Sequence, residues 1–158
     1  MGFKPDDPRV RDGLKLAKER GLDYRFFEED VDGARPNSAR ILATNKEGRV
    51  TEAIGVSIGG GAVELEELDG FQIGISGALP AVIILNRDVQ GVVGAVTTYL
   101  SKHGINIATM KLHRDSRGGL ATMVLELDSD AVDKQTAEEL KQVHPAIVRA
   151  IAIKGDAE

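Results

Sequence analysis

The chain of 158 residues contains no cysteine. Disulfides, a nucleophilic thiol and thiolate-ligated zinc or iron-sulfur sites are therefore excluded within it. Tryptophan is absent too, and aromatic residues make up only 4% of the sequence. We therefore expect small hydrophobic cores built from Val, Ile, Leu and Ala.

Long apolar runs and an excess of positive charge are also missing. No stretch approaches about 18 apolar residues, and no basic start precedes an apolar segment, so we expect a cytoplasmic protein without a membrane span or secretory signal. The net charge is -5 and no Lys/Arg stripe alternates with aromatics, which argues against nucleic-acid binding. The histidines, His103, His113 and His144, lie far apart without a His or carboxylate at i+3 or i+4, so we expect no metal site.

The first half of the sequence predicts a helix followed by strands. Val10, Leu14 and Ala17 follow helical spacing over residues 7–20, with Asp6 or Asp7 as the cap. Alternation predicts a short strand over 22–28, and an exposed connection should follow over 29–38. Strands are then expected over 40–44, 50–58, 62–68 and 71–75, with turns at 45–48 and 69–70. These strands should form an antiparallel meander.

The second half predicts the order strand, helix, strand, strand, helix, strand. The strands are expected over 81–86, 105–114, 120–127 and 147–153, and the helices over 91–102 and from Asp130 or Asp133 to Val143. This βαββαβ order is that of ferredoxin-like folds. The small residues 76–78 before Pro80 indicate a boundary, so the fold class is α+β with domains 1–77 and 78–158.

Two places in the second half could receive a small ligand. The loop 86–91 ends at a helix amino terminus, where free N–H groups can bind a carboxylate near Asp88 and Gly91; alternatively, Asp88 only caps the helix and Gly91 permits close packing. Asn106 offers one acceptor and two donors, which suit an α-amino or carboxylate group. It could equally satisfy the backbone at the start of a strand.

The run Ser57-Ile58-Gly59-Gly60-Gly61 is the most unusual local feature. Three glycines in a strand-rich region cost conformational entropy and weaken any ladder they join. They could form a nest of N–H groups around an anion, a loop that a partner subunit approaches closely, or simply a flexible hairpin connection. No P-loop or dinucleotide fingerprint accompanies them. No Ser/His/Asp triad or acid–base pair can be assigned, so the catalytic residues remain unknown.

The stretch from Asn86-Arg87-Asp88-Val89-Gln90-Gly91 through His103-Gly104-Ile105-Asn106-Ile107 resembles the ACT domain, an amino-acid-sensing module of metabolic enzymes. Gly91 and Asn106 match its most typical positions, and Gln90 stands where the family often has proline. The resemblance implies an oligomer, because ACT domains pair through sheet edges or helix faces, with the effector at the interface. It implies an effector site at Asp88, Gly91 and Asn106.

Upstream, Pro36-Asn37-Ser38, the glycine run and Asp69-Gly70-Phe71 extend the likeness to nearly the whole chain. The combination resembles the β chain of bacterial iron-sulfur-dependent L-serine dehydratase, whose first domain is similar to the allosteric substrate-binding domain of some phosphoglycerate dehydrogenases. This implies that Asn37, Ser57, Gly59, Gly60 and Gly61 are candidates for contact with substrate or a partner subunit.

The family converts L-serine to pyruvate and ammonia with a [4Fe-4S] cluster on an α chain, so the resemblance implies no cofactor on this chain and inactivity without its partner. It also implies an α-subunit partner, a homodimer through the ACT domain and L-serine as a ligand. Two departures stand out: the family's Ser-Ser-His-Thr segment is absent, and Arg35 replaces a frequent histidine. We therefore expect the first domain to be partial.

Two other functions stay open at this point. The chain could be a stand-alone ACT-type amino-acid-binding regulatory module without catalytic activity. It could also be a self-contained hydrolase or transferase, but the sequence offers no nucleophile and base pair for one.

Overall fold

A computed structural model describes residues 2–3, 7–29, 34–129 and 132–155. The described residues form two compact units, one ending at Ala34 and one beginning at Arg35. No helix among them is long and apolar enough to cross a membrane. The predicted connection over 29–38 and the alternative helix start at Asp130 fall partly or wholly outside the described residues.

The first unit contains the predicted amino-terminal helix. A 3₁₀ turn, Pro8–Asp12, leads into α1, Gly13–Glu19. The carboxylate of Asp7 accepts a hydrogen bond from the N–H of Arg9 at 2.9 Å and caps the turn. The strand predicted over 22–28 is wrong, because these residues form no strand and the side chains of Phe26 and Phe27 are both 76% exposed. Alternation alone does not create a strand without a pairing neighbour.

The second unit begins with the predicted antiparallel meander. Strands β1, Ser38–Thr44, β2, Val50–Gly59, β3, Ala62–Leu68, and β4, Phe71–Ile75, pair in sequence order. At the last turn Asp69 and Gly70 have φ angles of 50° and 82°, as a tight type I′ hairpin requires.

A ferredoxin-like sheet with two helices follows, as the sequence predicts. It comprises β5, Ala81–Arg87, α2, Val92–Lys102, β6, Asn106–Arg114, β7, Leu120–Asp128, α3, Lys134–Gln142, and β8, Ile147–Ile153. The strand order is β6-β7-β5-β8, and all the pairs are antiparallel. Helix α3 starts with a capping box between Asp133 and Thr136.

Strand β5 contributes to apolar layers on both faces of this sheet. Val82 and Ile84 belong to the core that includes residues of α2 and α3, whereas Ala81 and Ile83 join Ile73 and neighbouring residues of the meander. Successive side chains of a strand point to opposite faces, so helices cover one face and the meander the other. The division into domains 1–77 and 78–158 stays a prediction.

A polar contact also joins the two sheets. The Oδ1 atom of Asp69 accepts a hydrogen bond from the N–H of Glu52 at 2.9 Å, and its Oδ2 atom pairs with Arg149 on β8. Burial would raise the pKa of Asp69, but these two partners lower it below its ordinary value. The β3–β4 turn is thereby fixed to both β2 and β8.

Candidate functional site

The amino end of α2 lacks the side-chain cap that the sequence suggested. Gly91 is the N-cap residue, at φ 92°, and in the described part of the chain no side chain caps the N–H groups of the first turn. The capping role considered for Asp88 is therefore wrong. Its Oδ2 atom instead accepts hydrogen bonds from the N–H of Gly118 at 3.1 Å and from Arg114 at 3.0 Å, and these partners hold the pKa of Asp88 below its ordinary value. The first-turn N–H groups of an uncapped helix attract anions.

Asn86 adds a buried acceptor at the start of the same loop. It stands on β5, where the inward positions Val82 and Ile84 predict a third apolar residue, and it is only 3% exposed. Its Nδ2 donates to the carbonyl oxygen of Arg87 at 2.7 Å, which fixes the amide orientation. Within the described part of the chain, its Oδ1 has no hydrogen-bond partner. In the sequence, this residue is recognisable as a polar residue at a position where the alternation of the strand predicts an apolar one.

Residues 86–91 comprise the end of β5 and the turn before α2 and are called the β5–α2 loop below. They offer two complementary features. The helix end attracts a negative group, and the Asn86 oxygen requires a hydrogen-bond donor. An α-amino acid carries both a carboxylate and an ammonium group. The arrangement suits such a zwitterion better than a simple anion.

Asn106 lies at the other end of the same sheet. Its Nδ2 donates to Asp128 at 2.6 Å. Its register partner Asp128 and the register partner of Arg87, Leu120, are eight residues apart on β7 (128 minus 120), roughly 26 Å at about 3.3 Å per residue. One chain therefore does not bring Asn106 together with Asp88 and Gly91, and their joint role as an effector site stays a prediction.

The residues singled out in the meander lie in two groups. The N–H of Ser57 donates to the carbonyl of Asn37 at 3.1 Å, so these two residues are neighbours. Gly59, Gly60 and Gly61 form the β2–β3 turn at φ angles of 90°, 63° and 82°, and a Cβ added to any of them would meet no atom within 4 Å. The run is an exposed left-handed turn that favours glycine. Its contact with a substrate or partner stays a prediction.

Arg35, at the position where the resemblance leads one to expect histidine, is held by carboxylates. Its Nη1 pairs with Glu66 and lies 3.5 Å from Glu64. Across the described ranges, no three His, Cys, Asp or Glu side chains are grouped closely enough to hold a metal ion.

Comparison with known proteins agrees with this architecture. The ACT domain family matches residues 81–145. A probable L-serine dehydratase beta chain of Bacillus subtilis (strain 168) is 33% identical over 97% of this chain and 68% of its own length. The L-serine dehydratase beta chain of Peptoniphilus asaccharolyticus is 29% identical over 98% of this chain and 68% of its length.

A second group of relatives consists of proteins named D-3-phosphoglycerate dehydrogenase. A D-3-phosphoglycerate dehydrogenase of Bacillus subtilis (strain 168) is 30% identical over 78% of this chain but only 23% of its own length. The likeness to the dehydratase β chains spans nearly the whole chain and two thirds of each relative. The chain thus belongs to the family of L-serine dehydratase β chains and carries an ACT domain.

Proposed function

We propose that this chain is the regulatory β subunit of an L-serine dehydratase that converts L-serine to pyruvate and ammonia. The family membership and the ACT domain support this role. The observations that carry the regulatory part are the uncapped amino end of α2 and, at the start of the same loop, the unpartnered, buried Oδ1 of Asn86. Together they fit the carboxylate and ammonium groups of L-serine.

The catalytic cofactor belongs, in this proposal, to a separate α subunit. A [4Fe-4S] cluster is held by cysteine thiolates, and this chain has no cysteine. The chain fits such a cluster poorly and is expected to be inactive without its partner. Its own residues bind the effector and position the subunits.

A homodimer would complete the effector site. Strand β6 is an outer strand of its sheet, and most of its residues are exposed, so its free backbone groups can pair with a second copy. In an antiparallel pair of β6 strands, the start of one strand lies beside the end of the other. Asn106 of the second copy would thereby approach the β5–α2 loop, since Arg114 at the far end of β6 contacts Asp88.

Isothermal titration of the purified chain with L-serine tests the effector site. Glycine and L-alanine serve as comparison ligands, and Asn106→Ala and Asn86→Leu as site variants. We expect saturable serine binding that both variants lose. Wild-type dimers that bind none of these amino acids would contradict the effector site.

Reconstitution tests the subunit role separately. A cluster-bearing dehydratase α chain should form pyruvate from L-serine at a higher rate when this chain is added, and the two should co-purify. The subunit role would be contradicted if this chain neither raises the rate nor co-purifies with an α chain that is active beside its own β chain.

The dehydrogenase relatives favour one alternative. Because about four fifths of this chain is similar to proteins named D-3-phosphoglycerate dehydrogenase, the same module serves different enzymes. The alternative is a stand-alone amino-acid-binding regulatory module. It predicts serine binding in the titration but no association with a dehydratase α chain.

A further inference from the structure

One histidine is linked through its own turn to the start of the β5–α2 loop, and its ring lies near the end of that loop. His144 lies in the turn between α3 and β8, and its Nδ1 accepts a hydrogen bond from the N–H of Ala146 at 3.1 Å. The carbonyl oxygen of Ala146 accepts from the N–H of Arg87 at 2.9 Å. On the other side of the ring, Nε2 lies 3.5 Å from the position that a Cβ on Gly91 would occupy. His144 and its turn thus lie between the start of the loop and its end.

The hydrogen bond to Nδ1 also determines where the ring carries its proton. A ring nitrogen that accepts a hydrogen bond has no hydrogen of its own, so neutral His144 carries its hydrogen on Nε2. This N–H donor lies beside Gly91, the N-cap of the uncapped helix α2. The ring therefore adds a donor at the place where the helix end attracts an anion.

We propose that His144 is a positioning residue for an α-amino acid bound at the amino end of α2. This inference rests on the effector site proposed above. The ring of His144 supports the turn whose Ala146 carbonyl binds Arg87, and its Nε2 lies close to Gly91, which keeps Asn86 and the first turn of α2 in one fixed arrangement. A preorganised site does not have to order its loop when the ligand binds.

Three substitutions distinguish the role of Nδ1 from that of Nε2. His144→Ala removes both ring nitrogens, and we expect the affinity for serine to fall about tenfold, an ordinary loss for one hydrogen bond in a binding site. His144→Asn retains an acceptor near the position of Nδ1 and should restore much of the affinity. His144→Gln places its amide near the position of Nε2 but loses the acceptor for Ala146, and should not restore it. His103→Ala, at the other end of α2, is the matched control and should bind serine like the wild type.

Hydrogen exchange provides a readout that does not need the ligand. The amide of Arg87, which donates to Ala146, should exchange faster in His144→Ala and His144→Gln than in the wild type and His144→Asn. Nitrogen-15 spectra should show the Nε2–H tautomer in the wild type. Urea unfolding of each variant shows whether a change is confined to the loop.

The outcomes distinguish this inference from the effector site itself. Serine binding by wild type and His144→Ala with equal affinity would overturn the positioning role and leave the effector site standing. If the wild type binds no amino acid, the effector site fails, and the role of His144 as the anchor of an amino-acid site falls with it. Weaker binding in His144→Ala, restored by His144→Asn and accompanied by faster exchange at Arg87, supports the proposal.

Discussion

Replacing Asn86 by leucine should stabilise the protein and remove its response to serine. Leucine has nearly the branched shape of asparagine, and the site is 3% exposed. A buried acceptor without a partner costs about 1–3 kcal/mol, whereas the lost hydrogen bond from Nδ2 to Arg87 is worth about 1 kcal/mol. The net gain in the free energy of unfolding should be about 1 kcal/mol.

Thermal and urea unfolding with and without L-serine measure both effects. The midpoint of Asn86→Leu should rise by about 2–4 °C in a protein of this size. Serine at 100 times its Kd should stabilise the wild type by about 2.7 kcal/mol and the variant far less. A variant that is less stable than the wild type, or that keeps the full serine response, would refute the reasoning.

Thr136→Val is the matched control for this substitution. Thr136 is also buried, but its hydroxyl takes part in the capping box with Asp133. Its replacement by an apolar side chain of the same shape should cost about 1 kcal/mol, because the N–H of Asp133 loses its acceptor. A gain in the free energy of unfolding for Asn86→Leu and a loss for Thr136→Val would show that the missing hydrogen-bond partner, rather than burial alone, determines the outcome.

Other contacts give predictions that unfolding measurements can check. Asp69→Asn should weaken the pair with Arg149 and cost about 1 kcal/mol at pH 7. Because the folded pKa of Asp69 is lowered, this difference should shrink as the pH falls from the unfolded value of about 3.9 and disappear below the folded pKa, and a constant difference would contradict it. Burial and the hydrogen bond to Glu139 raise the pKa of Tyr99 to about 12, so stability should be lost as the pH rises from about 10 through that value, and Tyr99→Phe should reduce the loss. Gly60→Ala should cost about 1–2 kcal/mol through its positive φ alone, and a neutral effect would show that the turn adapts.

The sequence predicts most elements of this fold because local patterns determine them. The bounds of β3, β4 and β8 agree with alternation between turn signals, and the Asp69-Gly70 turn has the expected positive φ angles. The prediction of a strand over 22–28 was wrong because strand formation does not depend on local pattern alone. A strand needs a pairing neighbour, and alternation within a segment carries no information about one.

The site was less predictable because its contacts join distant parts of the chain. The carboxylate of Asp88 accepts a hydrogen bond from Gly118, 30 residues away in the turn between β6 and β7. It therefore does not cap α2. The separation of Asn106 from the loop follows from strand direction: β5 and β6 both pair antiparallel with β7, so the start of β6 lies at the opposite end of the sheet from the end of β5. The proximity of His144 to Gly91 depends on where β8 pairs. Among the site residues that the sequence reasoning missed, Asn86 left a local signal, as the polar residue at an inward strand position.

Mixed dimers test the central claim, an amino-acid site shared between two β subunits, most directly. A tagged Asn86→Leu chain and a differently tagged Asn106→Ala chain are purified together, so that each dimer contains one of each. Neither homodimer should bind L-serine. The account predicts that the mixed dimer binds serine at one site with wild-type affinity, because one β5–α2 loop and the opposite Asn106 remain intact. A mixed dimer that binds no serine, while the wild-type dimer does, would contradict a site built from both copies.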